Sequence, residues 1–124
     1  MTTTALPAPI QAFIDATNSA DSDAFAAAFT ADAFLSDWGR EFRGTIGVRA
    51  WNRTDNIGVH AHFDLIDVTP DNEPGTYTVT LKVSGDGYNG TGPMRFELRD
   101  DRIARLIISG HLRAPDAPQT QGPS

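Results

Sequence analysis

The 124-residue sequence contains no cysteine, which excludes disulfides, thiolate nucleophiles and cysteine-ligated zinc. A chain of this length fits one domain and needs no such staples, because it buries roughly two-thirds of the surface its unfolded form exposes. Lysine is nearly absent too: Lys82 stands beside nine arginines, and these ten cations are scattered rather than striped. With a formal net charge of −6, there is no basic face to neutralise phosphates, so nucleic acid is not an expected partner. No apolar run approaches the roughly 18 residues of a membrane span, so no membrane association is expected either. The opening MTTTALPAPI lacks the charged and apolar regions of a signal peptide, which makes the cytoplasm the expected location. Lysine-poor, arginine- and alanine-rich usage points to a GC-rich bacterial genome.

What is present falls into two halves with different periods. Residues 1–8 are polar and proline-containing and are expected to be flexible. Ile10, Phe13, Ile14 and Thr17 then recur at helical spacing. After a break at Asn18–Asp21, Ser22 is positioned to cap a second helix whose inner stripe is Phe25, Ala28 and Phe29. Phe34 to Asp37 reads as a short extended run, interrupted by Gly39. Gly44-Thr45 opens a third helix with Thr45 as cap and Val48, Trp51 and Ile46 inward, ended by Asn56 and Gly58.

Beyond Gly58 the period is about two. His60–Thr69 is strand-like, with apolar residues on both alternations, so a bulge is expected there. Tyr77, Val79, Leu81 and Val83 alternate with polar residues in the cleanest strand of the chain. A glycine-rich connection, Ser84–Pro93, leads to the alternation Met94, Phe96, Leu98, and Arg102–Leu112 forms a last strand. Residues 9–113 therefore predict one α+β domain, with helices packed on one face of a strongly curved antiparallel sheet that forms a cone. Residues 114–124 are rich in proline, glycine and glutamine and are expected to be a disordered tail.

The stretch Asp32–Trp51 concentrates the chemistry. Phe29, Phe34, Trp38, Phe42 and Trp51 gather around a single acid, Asp37. A carboxylate in apolar surroundings is costly to ionise and is therefore the stronger base; the plainer reading is a solvated turn residue before Gly39. His60 and His62 form an H-x-H pair, but a metal needs a third ligand and only His111 or Asp64 is evident, so no metal or cofactor is expected. His62 or His111 is the better candidate to exchange protons with Asp37, and the plainer reading is that they are satisfied strand or interface histidines. Tyr88 reads as an exposed loop aromatic. The glycines of Ser84–Pro93 open no helix, so they do not form a phosphate cradle.

Three stretches, FIDATNSAD (Phe13–Asp21), FTADAFLSDWGREFRG (Phe29–Gly44) and IGVRAW (Ile46–Trp51), together with the closing DRIARLIISG (Asp101–Gly110), resemble the nuclear transport factor 2-like superfamily. The likeness is to its SnoaL-like and ketosteroid-isomerase-like branch and covers nearly the whole chain apart from the tails. It implies the cystatin-like cone and a homodimer through the outer face of the sheet. It also places Asp37 where ketosteroid isomerases carry their catalytic base. Phe13 stands at their oxyanion-binding tyrosine position and Met94 at that of their second aspartate, and neither donates a hydrogen bond, which disfavours that reaction. Asp64, Arg95 and Glu97 have the residue types of the aspartate–arginine–aspartate relay of epoxide hydrolases, yet read as cross-strand surface charges.

The resulting expectation is cofactor-independent acid–base chemistry (isomerase, cyclase or dehydratase) on a small hydrophobic carbonyl compound. Asp37, His62 and His111 are the catalytic candidates. Phe13, Thr17, Phe29, Trp38, Trp51, Val79, Leu81 and Met94 are the expected pocket lining. The alternatives are a binding or accessory protein that uses the same pocket without turnover, and an epoxide hydrolase.

Overall fold

The computed structural model describes residues 6–108. His111, the end of the last expected strand and the tail 114–124 lie outside the described residues. Helix α1 (Ala8–Asn18) starts after Pro7 and carries Pro9 in its first turn, where the missing N–H leaves no bond unmade. Ile10, Phe13, Ile14 and Thr17 are buried along it, as the helical spacing predicts. Helix α2 (Ser22–Ala27) is capped by Asp21, whose side chain accepts from the Ala24 N–H at 3.0 Å. Ser22 is thus the first residue of the helix rather than its cap.

Phe29 does not continue α2. It opens strand β1 (Phe29–Asp37), which turns through Trp38-Gly39 into β2 (Arg40–Arg43). Helix α3 follows (Gly44–Asp55), burying Val48, Trp51 and Asn52. Its cap position is Arg43, not Thr45, and Ile46 is exposed rather than inward. A single 3-10 turn, Ile57–Val59, leads to β3 (His62–Pro70), β4 (Thr76–Ser84), β5 (Gly90–Arg99) and β6 (Arg102–Ile108).

The strands form one sheet in the order β2-β1-β6-β5-β4-β3. All pairings are antiparallel except β1 with β6, which run parallel. The antiparallel expectation is corrected at that one pairing. A local meander cannot produce it; it arises because the chain leaves β1 through β2 and α3 and returns at the far end of the sequence. Register shifts interrupt the β1–β6, β3–β4 and β5–β6 ladders. The β3–β4 shift, between Leu65 and Asp67, falls in the stretch whose mixed alternation predicts a bulge. Each extra residue bends its strand and increases its twist, which curves the sheet around the helices.

The concave side is filled by an aromatic core. Phe13 is its hub, with ring centroids 5.3 Å from Phe25, 5.2 Å from Phe63 and 5.2 Å from Phe96. Trp51 extends the stack from α3, 6.0 Å from Phe25. A buried polar chain ties the helices together beside it: the Asn56 side-chain amide donates to Thr17 Oγ1 and Asn52 Oδ1, and Asn52 donates to Ser22 Oγ. At the sheet edge, the Asn18 amide pairs with both backbone groups of Phe63, satisfying an edge strand that would otherwise be open.

The outer face is largely polar. Opposed residues in an antiparallel ladder share a face, and the pairs Thr78–Arg95, Lys82–Thr91 and Glu97–Arg105 lie opposite the core. Two large apolar residues lie there, Ile107 and Phe34, and Phe34 is covered by the guanidinium groups of Arg43 and Arg105, 4.7 and 4.9 Å from its ring centroid.

Candidate functional site

A cavity of about 330 Å³ opens between the end of α3, the β1–β2 hairpin and the sheet. Phe63, Val83, Met94 and Ile108 supply its apolar floor, and Val59 adds an apolar wall from the 3-10 turn. The polar end is made by Asp37, Arg40, Thr54 and Asp55.

Two local structures bring those groups together. Trp38 and Gly39 both have positive φ, 55° and 87°, the backbone of a tight two-residue hairpin whose twist suits the flanking strands. That turn makes Asp37 and Arg40 the closing pair of the β1–β2 ladder. Residues opposed in this way project to the same face, so the guanidinium meets the carboxylate, at 2.8 Å. On α3, Trp51 and Asp55 are four residues apart and so share one helical face. The hairpin and the helix each contribute one aspartate, and Arg40 bridges them, reaching Asp55 Oδ1 at 2.9 Å.

The Asp37 side chain is 13% exposed and accepts two hydrogen bonds on one oxygen. Trp51 Nε1 donates to Oδ2 at 2.9 Å and Arg40 donates to the same atom at 2.8 Å. Among the described residues no donor reaches Oδ1. The carboxylate is therefore anchored through Oδ2. It does not sit in purely apolar surroundings, as the flanking aromatics suggest; an indole N–H and a guanidinium donate to it. For Asp55, burial works to raise the carboxyl pKa, but hydrogen bonds from Arg40 and Thr54 and the attraction of the Arg40 charge outweigh it and hold the group below its ordinary range. The hydrogen bond that Arg40 donates to Asp55 is the main reason that the Arg40 pKa is raised, with both aspartate charges adding to it.

Of the expected lining, Trp38, Trp51 and Met94 border this cavity along with Asp37. Phe13, Thr17, Phe29, Val79 and Leu81 do not; they are buried in the packed core beneath it. Core and pocket wall are continuous in a cone, and periodicity alone does not separate them. His62 is half exposed, lies 3.4 Å from Asp64, and does not border the cavity, so the structure does not bring it to Asp37. His60 takes a left-handed conformation before β3 and pairs with Asp86 at 2.6 Å, so the two histidines do not act as a pair on one strand face. Among the described residues no group of three metal-ligating side chains forms. Arg95 binds Asp71 and Glu73, while Glu97 binds Arg105, so Asp64, Arg95 and Glu97 form no relay. Nothing in the sequence pattern singles out Arg40 or Thr54. The available signal was the spacing of Asp55 from Trp51, one helical turn on the same face.

Among the described residues no helix is long and apolar enough to cross a membrane. The SnoaL-like domain model matches residues 10–106. The chain belongs to the SnoaL-like family. Comparison with curated proteins gives no match. Among solved structures, this SnoaL-like domain is similar to a Sinorhizobium meliloti protein provisionally described as a polyketide cyclase, with 29% identity and a TM-score of 0.74 over 82% of this chain and 94% of that one. It also shares its fold with the Delta 5-3-ketosteroid isomerase of a Mycobacterium species, at 17% identity and a TM-score of 0.68 over 81% and 88% of the two chains. A Mycobacterium tuberculosis protein in complex with estradiol-17β-hemisuccinate shares it as well, at 13% identity and a TM-score of 0.70 over 80% and 88%.

Proposed function

We propose that this SnoaL-like domain binds a small hydrophobic carbonyl compound and moves a proton next to its carbonyl group, as an isomerase, cyclase or dehydratase that needs no cofactor. One observation carries the reading: Asp37, which borders the cavity, is fixed through Oδ2 by Trp51 and Arg40. A base held this way is pre-oriented, and general-base catalysis by a positioned carboxylate contributes about 10²–10⁴ in rate. The apolar floor of Phe63, Val83, Met94 and Ile108 selects the hydrophobic body of the substrate. With two carboxylates and one guanidinium, the polar end carries one net negative charge, which favours neutral ligands over anionic ones. Support from relatives is of the same kind, since the estradiol-17β-hemisuccinate complex and the ketosteroid isomerase share the fold.

The test is α-proton exchange of a bicyclic ketone, 2-tetralone, in D2O, followed by NMR. Asp37→Asn is expected to keep the fold and ligand binding and to lose the exchange. Exchange that survives the substitution leaves only the binding role, with the same cavity holding a hydrophobic ligand without turnover.

A second reading is favoured by one feature. An aspartate–arginine–aspartate row does form, from Asp37, Arg40 and Asp55. Such a row suits activation of a water molecule for opening an epoxide, and incorporation of oxygen-18 from labelled water into a diol product distinguishes it from proton transfer. A homodimer through the outer face of the sheet, where Phe34 and Ile107 sit among threonine, arginine and glutamate side chains, belongs to the proposal. Sedimentation equilibrium giving a monomer at all concentrations would remove it.

A further inference from the structure

The glycine-rich connection between β4 and β5 has so far had no role, and its geometry gives it one. Residues Gly85–Asn89 fold back as a strap against the 3-10 turn that walls the cavity. The Asp86 N–H donates to the Val59 carbonyl at 2.8 Å, and the Asp86 carboxylate pairs with His60. The Asn89 side chain closes the strap on the carbonyls of Gly85 and Gly87. The glycines are what allow this approach. A Cβ on Gly85 would lie 2.6 Å from the His60 carbonyl oxygen, and one on Gly87 would lie 3.1 Å from a Val59 methyl group.

The strap carries Tyr88, which with Gly87 lines the cavity. The direction of its ring follows from Gly90. Gly90 is opposed to Val83 in the β4–β5 ladder, and Val83 is part of the cavity floor, so a side chain at position 90 would project to the cavity side of the sheet. The space that such a Cβ would fill is taken by the Tyr88 hydroxyl, 2.5 Å from the Cβ position. The hydroxyl thus sits on the cavity side of the sheet, and no hydrogen bond holds it among the described residues. Phe13 and Met94 offer no donor to a ligand oxygen, and the Trp51 N–H is committed to Asp37.

We propose that Tyr88 is the hydrogen-bond donor to the carbonyl oxygen of the ligand, a specificity-determining residue delivered by the glycine strap. The inference rests on the proton-transfer reading of Asp37. In the step so described, Asp37 Oδ1 takes the α-proton, and the C–H electron pair becomes the new C=C bond. The former C=O π pair moves onto the oxygen, which accepts the hydrogen bond of the Tyr88 hydroxyl. The proton returns from Asp37 to carbon, and in D2O it is replaced by deuterium on the carboxyl group in between.

The experiment compares 2-tetralone with tetralin, its hydrocarbon parent, which has the same ring system without the oxygen. Binding is read by quenching of Trp38 and Trp51 fluorescence, since both residues line the cavity. Wild type is expected to prefer the ketone by about 3- to 10-fold, the worth of one net hydrogen bond. Tyr88→Phe keeps the ring on the strap, and is expected to bring the preference close to one and to slow α-proton exchange by about 10²–10³. A merely structural role would weaken both ligands alike. Asp37→Asn is expected to abolish exchange while retaining the preference, so failure of the base and failure of the donor are read separately. Equal affinities in wild type, no binding of either compound, or a preference unchanged in Tyr88→Phe would each overturn the proposal.

Discussion

Removing the Trp51 indole N–H isolates the contact that fixes Asp37. Trp51→Phe keeps an aromatic ring against Phe25 and deletes the donor to Asp37 Oδ2. A hydrogen bond to a charged acceptor is worth about 1.5–3 kcal/mol. Little solvent competes here, because Trp51 is buried and the Asp37 side chain is 13% exposed. The smaller ring also leaves a void in the core, which costs a further amount of about 1–3 kcal/mol. A double-mutant cycle with Asp37→Ala separates the two contributions. The void is common to both arms and cancels, whereas the hydrogen bond appears as a coupling of about 1.5–3 kcal/mol. Urea unfolding at pH 7, followed by far-ultraviolet circular dichroism on all four proteins, gives the coupling directly. A value within about 0.5 kcal/mol of zero, the ordinary limit of additivity, would refute the idea that the indole holds the carboxylate.

Asp55 makes a pH prediction with a definite sign. Its pKa is lowered in the folded protein, so its contribution to stability is full above the unfolded carboxylate range and is lost as pH falls through the folded value. Because Arg40 is 54% exposed, that contribution is small, about 1 kcal/mol or less. Asp55→Asn should therefore be slightly less stable than wild type at pH 7, with the difference closing below about pH 4; an equal difference at pH 3 and pH 7 contradicts the assignment. Gly58→Ala tests the wall of the cavity, since a Cβ there would lie 1.4 Å from the Arg53 carbonyl oxygen. The turn carrying Val59 must move, at a cost of about 1–3 kcal/mol in thermal or urea unfolding, and unchanged stability would show that the turn is not packed as described.

The fold was largely legible because the periods of the chain agree with its elements. The stripe Ile10, Phe13, Ile14, Thr17 is the buried face of α1, and Val79 and Leu81 point inward from β4. The alanines before Phe29 favour helix and extend the α2 pattern to it, whereas its strand is fixed by pairing with Ile103, far along the chain. The β1–β2 hairpin was hidden for a local reason. Its turn is Trp38-Gly39, and tryptophan at positive φ is an uncommon choice that carries none of the usual asparagine or aspartate turn signal. The site was legible only at its centre. Asp37 and Trp51 stand out as an acid among aromatics, but their partner Arg40 depends on the hidden turn. The hydroxyl of Tyr88 lies against Gly90, which leaves room for it, a relation that spacing does not encode.

The central claim is that Asp37 Oδ1 faces a carbonyl compound inside the cavity. A crystal structure of the protein with 2-tetralone tests it most directly. The account predicts the rings on Phe63, Val83, Met94 and Ile108, with an α-carbon about 3–3.5 Å from Oδ1, the distance at which a bound base is poised to react. A ligand bound outside this cavity, or inside it with both α-carbons turned away from Asp37, would contradict it.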